Sequence, residues 1–260
     1  MKTSLSRMFF TGGLLLTVAG CATPPTDPEE RAAYDEANDP AEPTNRVIFE
    51  GNLFLDHNLL QPVAHAYASN IPDGAQHSIH NFLRNLTEPT VLVNDLLQGN
   101  FTRAWVTTQR FIADSTIGVA GLFDPATDWE LPYHSADFGQ TLGVWGVGTG
   151  PTVQLPLFNF SNVRDTVGIV VGELTNPLAF VPSSGPYDDF RIAAGGVGLI
   201  SHRAELLPAT DSLEQSSVDY YATLRSVVAH RRAAVIEEGK SGLVAAPPKM
   251  DFGEQPQGTQ

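Results

Sequence analysis

Cys21 is the only cysteine in a chain of 260 residues, which excludes any intrachain disulfide. Whatever the chain folds into must hold by packing, hydrogen bonds and ion pairs. The position of the thiol narrows the reading further. Lys2 and Arg7 precede an uncharged run from Met8 to Gly20, and the small residues Val18-Ala19-Gly20 stand directly before the cysteine. A basic start, a short apolar centre and small residues at its end are the parts of an export leader. The run of 13 uncharged residues falls short of the roughly 20 that a bilayer-spanning helix needs. The expectation is a signal peptide over residues 1–20, with Cys21 as the first residue of the exported chain.

Residues 21–260 suffice for one large domain or two small ones. They carry 13 basic against 29 acidic residues, a net charge of −16. A surface this acidic repels phosphate backbones and anionic headgroups, which disfavours nucleic acid as a partner and electrostatic docking to a membrane. No later stretch reaches 18 apolar residues; the longest, Ile192 to Ile200, contains three glycines. A second membrane span is not expected. Residues 21–37 are rich in proline and acid and read as a flexible tether behind the cysteine. Residues 239–260 have the same character and are expected to form a disordered tail. That leaves 38–238 as the folded domain.

Within it the pattern is mainly helical. Phe101, Ala104, Trp105, Thr108, Phe111 and Ile112 fall at offsets 0, 3, 4, 7, 10 and 11, one face of a helix. Gly99 suits the end of a preceding helix bearing Val91, Leu92, Leu96 and Leu97. Asp73 to Leu86 gives another amphipathic helix through Ile79, Phe82, Leu83 and Leu86, and Pro40 to Leu60 one more. Asp211 with Glu214 has the spacing of a capping box opening a long last helix. That helix has the stripe Tyr220, Tyr221, Leu224, Val227 and Val228, with Gly239 as its stop. By periodicity alone each stripe is expected to bury against neighbouring helices. Residues 117–160 differ, because glycines crowd Ile117 to Phe123 and then recur at 139, 143, 146, 148 and 150. So many glycines imply tight turns or close backbone approaches. Thr152 to Pro156 reads as a short extended piece.

No catalytic constellation emerges. Gly-x-Ser-x-Gly is absent, and Gly146-Val147-Gly148-Thr149-Gly150 lacks the Lys-Ser/Thr of a phosphate loop. His77 and His80 share a helical face without a His-Glu-x-x-His frame, so no metal or other cofactor is expected. Asp124 and Asp128 around Pro125 lack the alternating oxygen ligands of a calcium loop, and Asp124 is more simply a helix cap. Gly168 and Gly172, four apart among valines and isoleucine, suggest a close-packing face.

Two resemblances add to this. Val18-Ala19-Gly20-Cys21 resembles the bacterial lipobox, which implies that Cys21 is lipidated. Ala22 stands where aspartate would resemble an inner-membrane retention signal, so the outer membrane is the expected address. The second resemblance begins in the fifteen residues Asp137-Phe138-Gly139-Gln140-Thr141-Leu142-Gly143-Val144-Trp145-Gly146-Val147-Gly148-Thr149-Gly150-Pro151. They resemble the signature of the VacJ/MlaA family. Asn38-Asp39-Pro40 with Glu42 and Asn45-Arg46, Asn85-Leu86 with Glu88-Pro89, Arg110-Phe111, Val163-Arg164-Asp165 and Arg231-Arg232 agree in order and spacing. Ala41, Asp114, Thr152 and Val228 depart from the family's usual residues and touch packing and channel polarity.

The resemblance implies a single, mainly α, ring-like domain around an amphipathic channel, set in the periplasmic leaflet of the outer membrane of a Gram-negative bacterium. It implies removal of mislocalised phospholipid from the outer leaflet, delivery to a soluble periplasmic carrier, and association with a trimeric porin. No bond is broken in such a task. The candidate channel or hinge segment is Asp137, Phe138, Gly139, Gln140, Thr141, Gly143, Trp145, Gly146 and Gly148. Some helix stripes would then face lipid instead of a core. The alternatives are a structural lipoprotein bracing porins, or a tethered lipid hydrolase using a Ser-Asp pair near Asp137.

Overall fold

The computed structural model describes residues 38–157, 160–176, 181 and 184–242. The signal peptide, Cys21 and the tether lie outside the described residues. The remainder is mainly helical. Helix α1 (Glu42–Leu55) runs through a π-helical turn (Asp56–Leu60) into α2 (Gln61–Asn70). Helix α3 (Asp73–Leu97) turns at Gly99 into α4 (Phe101–Thr116), and the two pack along each other. The short helices α5 (Pro125–Asp128) and α6 (Phe138–Val144) follow. Strands β1 (Thr152–Gln154) and β2 (Phe160–Asn162) pair antiparallel, with Val153 opposite Ser161. Helices α7 (Val163–Thr175), α8 (Gly185–Ser216) and α9 (Tyr220–Ser241) complete the fold. The extended piece at Thr152 is present as expected, as is the Asp124 cap, whose carboxylate accepts from the Thr127 N–H at 3.0 Å.

The apolar cores are small. Phe49 of α1 meets Phe160 of β2 at 5.4 Å and Tyr221 of α9 at 5.3 Å between ring centroids, with Leu53, Leu224 and Val228 around them. A second cluster joins Ala64 of α2 to Ala204 and Leu207 of α8. Hydrogen bonds supply the rest. Asn45 donates to Asp39 at 2.7 Å and to the Thr152 carbonyl at 3.1 Å, and it accepts from the Gln154 N–H at 3.1 Å. Asp39 in turn takes the Tyr221 hydroxyl and Arg225. The opening block therefore stitches β1 to α9.

Several expectations are corrected. Asp73–Leu86 and the stretch ending at Leu97 are one helix of 25 residues, despite Pro89 within it. Proline removes one i to i−4 bond and costs about 3 kcal/mol in an interior. Burial of Asn85, Glu88, Val91 and Asp95 against α4 keeps the helix whole. Asp211 and Glu214 lie inside α8, where they reach across to Gln61 and His57 instead of capping anything. The cap of the last helix is Asp219, which accepts from the Ala222 N–H at 3.1 Å. Gly239 is no stop either. The helix continues to Ser241, and Gly242 closes it in the left-handed conformation. Gly239 is glycine because a Cβ there would lie 2.8 Å from Val144 and 3.0 Å from both Gln98 and Gln140. The Gly168/Gly172 pair splits: a Cβ on Gly168 would sit 2.4 Å from the Gly139 backbone, whereas one on Gly172 meets nothing within 4 Å.

Candidate functional site

Helix α4 is built inside out. Arg103, Thr107, Arg110 and Asp114, at offsets 0, 4, 7 and 11, share the face turned toward α3 and are all buried. Phe101, Trp105, Phe111 and Ile112 face outward. The contrast is large, with Arg103 and Arg110 at 0% and 1% exposure against Phe101 and Trp105 at 73% and 63%. The apolar stripe that periodicity assigns to a core is thus mostly exposed. Ile117, Val119 and Phe123 extend it past the helix end, and Leu96 and Leu97 on α3, Trp145, and Val167, Val170 and Leu174 on α7 are exposed as well. So many large apolar side chains left exposed mark contact with a membrane or partner. Buried arginines are tolerated only when paired.

The pairing falls into two centres between α3 and α4. In the first, Arg110 holds Asp124 at 2.9 Å and stands 3.5 Å from both Glu88 and Asp114, while donating to the Leu131 carbonyl. Arg84 also pairs with Asp124 and lies 4.5 Å over the Tyr133 ring. Burial pushes the Glu88 carboxyl up to about 7, against the pull of Arg110 and Arg84. Burial also raises Asp114, against the Ala126 N–H that it accepts at 3.1 Å. Burial pushes Asp124 upward too, but the Thr127 hydroxyl and Arg84 overcome it and leave that carboxyl below its ordinary range. In the second centre Asp95 accepts from the Thr107 hydroxyl at 2.7 Å and lies 2.8 Å from His134 Nε2. Arg103 is 3.6 Å from the same carboxylate and reaches the Ser135 carbonyl at 3.4 Å. Burial lowers its affinity for the proton, opposed by Asp95 and Glu238.

The signature segment joins this polar interior to α7 and α9. Asp137 caps α6, accepting from the Gln140 N–H at 2.8 Å, and takes both terminal nitrogens of Arg232 at 2.6 Å. Arg232 also binds Asp165 through Nε at 3.0 Å and Nη2 at 3.1 Å. Burial works against ionisation of both carboxyls, and the arginine contacts overcome it, so both lie below the ordinary range. Gly139 is fixed by this clasp, since a Cβ would come within 2.7 Å of both Arg232 and Asp165. Gln140 is buried and donates to the Val235 carbonyl at 2.8 Å, and Thr141 is buried and donates to Asn94 at 2.8 Å. Gly143 packs on Ile236. Phe138 is half-buried, its ring 6.1 Å from that of Trp145.

The nine sequence-predicted positions therefore divide. Asp137 to Gly143 knit α6 into the fold, whereas Trp145, Gly146 and Gly148 are exposed beyond it. Trp145 nonetheless donates its indole N–H to the Leu97 carbonyl at 3.0 Å. Cys21 lies outside the described residues. Among the described residues no Ser-Asp pair forms near Asp137, whose two oxygens both go to Arg232. Arg103, Asp95 and His134 were missed by sequence reasoning, and Glu88, Arg110, Asp165 and Arg232 were named only as matching positions. The available signal was the charged spacing 103, 107, 110, 114, opposite the aromatic stripe of the same helix. Among the described residues no helix is long and apolar enough to cross a membrane, and no group of His, Cys, Asp and Glu could hold a metal ion.

The family described as "MlaA lipoprotein" matches residues 37–235. The chain belongs to the MlaA lipoprotein family. Curated MlaA relatives from Shigella flexneri and Escherichia coli K12 carry the name intermembrane phospholipid transport system lipoprotein MlaA. Each is 33% identical over 247 residues, covering 92% of this chain and 91% of its own length. An uncharacterized Rickettsia bellii protein is 34% identical over 207 residues, covering 79% of this chain and 80% of its own. A solved structure described as "Structural basis for maintenance of bacterial outer membrane lipid asymmetry" superposes with a TM-score of 0.66 at 32% identity. It covers 76% of this chain and 98% of that one. The matched residues 37–235 take in the α3–α4 pair, α6 and Arg232.

Proposed function

We propose that this chain is the outer-membrane lipoprotein of an intermembrane phospholipid transport system, removing mislocalised phospholipid from the outer leaflet and so maintaining lipid asymmetry. The observation that carries the reading is the inverted burial of α4 in a chain related to MlaA over nearly its whole length. Leaving Phe101, Trp105, Ile112, Ile117 and Phe123 in water forfeits about 25 cal/mol for each Å² of apolar surface. An acyl-chain environment removes that loss and asks nothing of the polar interior. The body then sits in the periplasmic leaflet as a ring around an amphipathic channel. Segment 137–148 forms its wall or hinge, with Gly146 in the left-handed conformation beyond the clamped helix. A headgroup follows polar surface while the chains follow apolar surface, which avoids desolvating either fully. Cys21, as a lipidated N-terminus, delivers and retains the body there, and residues 22–37 act as the tether. A trimeric porin and a soluble periplasmic carrier are the proposed partners.

Deleting the gene should raise surface-accessible phospholipid, measured on intact cells with a membrane-impermeant amine-reactive probe, and plasmid-borne wild-type chain should restore it. Unchanged asymmetry in the deletion strain would refute the proposal. It would leave a porin-bracing role, which predicts porin co-purification without bound lipid.

A further inference from the structure

The Glu88–Arg110 centre holds unequal numbers of charges. Three carboxyl groups, Glu88, Asp114 and Asp124, face two guanidinium groups, Arg84 and Arg110. The Glu88 and Arg110 side chains are 2% and 1% exposed, so surplus negative charge there would be poorly solvated. The hydrogen bonds show where the imbalance is relieved. Arg110 gives Nη2 to Asp124 and Nη1 to the Leu131 carbonyl. Its Nε is buried with no hydrogen-bond partner, and the facing Glu88 oxygen stands 3.5 Å away. An ionised carboxylate beside a bare buried N–H closes to about 2.7–2.9 Å. A neutral carboxyl has no such pull.

We propose that this centre is a proton-binding site: at neutral pH Glu88 carries one exchangeable proton, and its release redistributes the grip of Arg110 on residues 117–133. The upward push of burial on the Glu88 carboxyl places the exchange near neutrality. With the proton bound, Arg110 is free to hold Asp124 and the Leu131 carbonyl, and Asp124 caps α5. With the proton gone, Glu88 draws the free Nε toward itself, and because the guanidinium is planar and rigid its Nη atoms shift against Asp124, the Leu131 carbonyl and Asp114. The groups facing Glu88 are Arg84 on its own helix, Arg110 and Asp114 on α4, and Tyr133 on the connecting segment, with Asp124 joined to them through the two arginines. The Tyr133 hydroxyl is pushed up by burial and stays neutral. The Asp95–His134 centre lies seven residues on along α3, about 10 Å away at 1.5 Å per residue. The held segment carries the exposed side chains of Ile117, Val119 and Phe123, so proton occupancy reaches the apolar outer face.

The test is a titration of the full-length protein in detergent micelles, with glutamate side-chain carboxyls labelled with ¹³C and arginine Nε with ¹⁵N. A glutamate resonance absent from Glu88→Gln should titrate with a midpoint between about pH 6 and 8, well above the free value. The Arg110 Nε signal should shift with the same midpoint. Hydrogen exchange of residues 117–133 should change several-fold across that range in wild type and stay flat in Glu88→Gln. A Glu88 midpoint near that of a free side chain overturns the proposal, and so does an Arg110 signal that ignores the Glu88 titration. If Glu88→Gln does not fold, the wild type still decides: absence of any glutamate resonance titrating in that window refutes the site.

Discussion

Two glycines on one helix should respond to the same substitution with opposite signs. Gly168 and Gly172 are one turn apart on α7, and in either position glycine costs roughly 0.5–1 kcal/mol of helix stability relative to alanine. Gly172→Ala adds a methyl with nothing within 4 Å, so it should gain that amount. Gly168→Ala places a Cβ 2.4 Å from Cα and N of Gly139, where ordinary contact begins at 3.4 Å, so α6 and α7 must part by the 1.0 Å difference. Backbone atoms supply the clash, and no rotamer change relieves it. Overpacking of this kind costs about 1–3 kcal/mol, leaving a net loss of about 1 kcal/mol at the midpoints, and at most about 2.5, once the propensity gain is subtracted. For a domain of this size each kcal/mol is worth about 2–4 °C. Thermal unfolding in detergent, followed by circular dichroism, should show Gly168→Ala melting about 2–4 °C lower and Gly172→Ala slightly higher. Two equal shifts of one sign would refute the account of α6 as a helix seated backbone to backbone on α7.

Other outcomes follow from the same contacts. Arg232→Ala should destabilise by about 1–3 kcal/mol in urea unfolding, because it leaves Asp165 underpaired, and Arg232→Lys should not rescue it, since lysine cannot make two bidentate contacts. Trp105→Asp should change unfolding free energy in detergent by less than about 0.5 kcal/mol, yet reduce flotation with phospholipid vesicles, because Trp105 projects from the fold. The Asp219 carboxyl is lowered to about 2, first by Arg46 and then by the Ala222 N–H. Its contribution is therefore full above the unfolded value near 4 and is lost as pH falls toward 2. Asp219→Asn should flatten acid unfolding over that interval.

The parts of the fold legible in the sequence were those set by local rules. The stripe at Phe101 to Ile112 gives helix α4, the Asp124 side chain announces α5, and the Gly150-Pro151 turn announces β1. The side on which that stripe lies was not legible from periodicity, because a 3.6-residue period looks the same whether its apolar face is covered by protein or by lipid. Only the charged set at Arg103, Arg110 and Asp114, read as a buried face, could have told the two apart. Long-range pairs such as Arg232 with Asp137 escape sequence reasoning altogether, since neither residue reveals its partner 95 positions away. Asp211 and Glu214 misled for a related reason: their spacing fits a cap, but cross-helix partners claim both carboxylates.

The inverted α3–α4 pair also governs how such a chain can drift over evolutionary time. An oily interior forgives exchange among leucine, isoleucine and methionine, provided volume is kept. Here directional bonds connect the interior, and replacing Arg110 removes a partner from Asp114, Asp124 and the Leu131 carbonyl and the facing cation from Glu88. Compensation requires several coordinated changes, so single steps at that node are barred. The outer face has the opposite freedom under the proposed function, since one apolar residue would serve an acyl environment as well as another. Substitution should therefore collect on the aromatic and aliphatic exterior of α4 and spare its charged inner side, the reverse of the pattern in a water-soluble bundle.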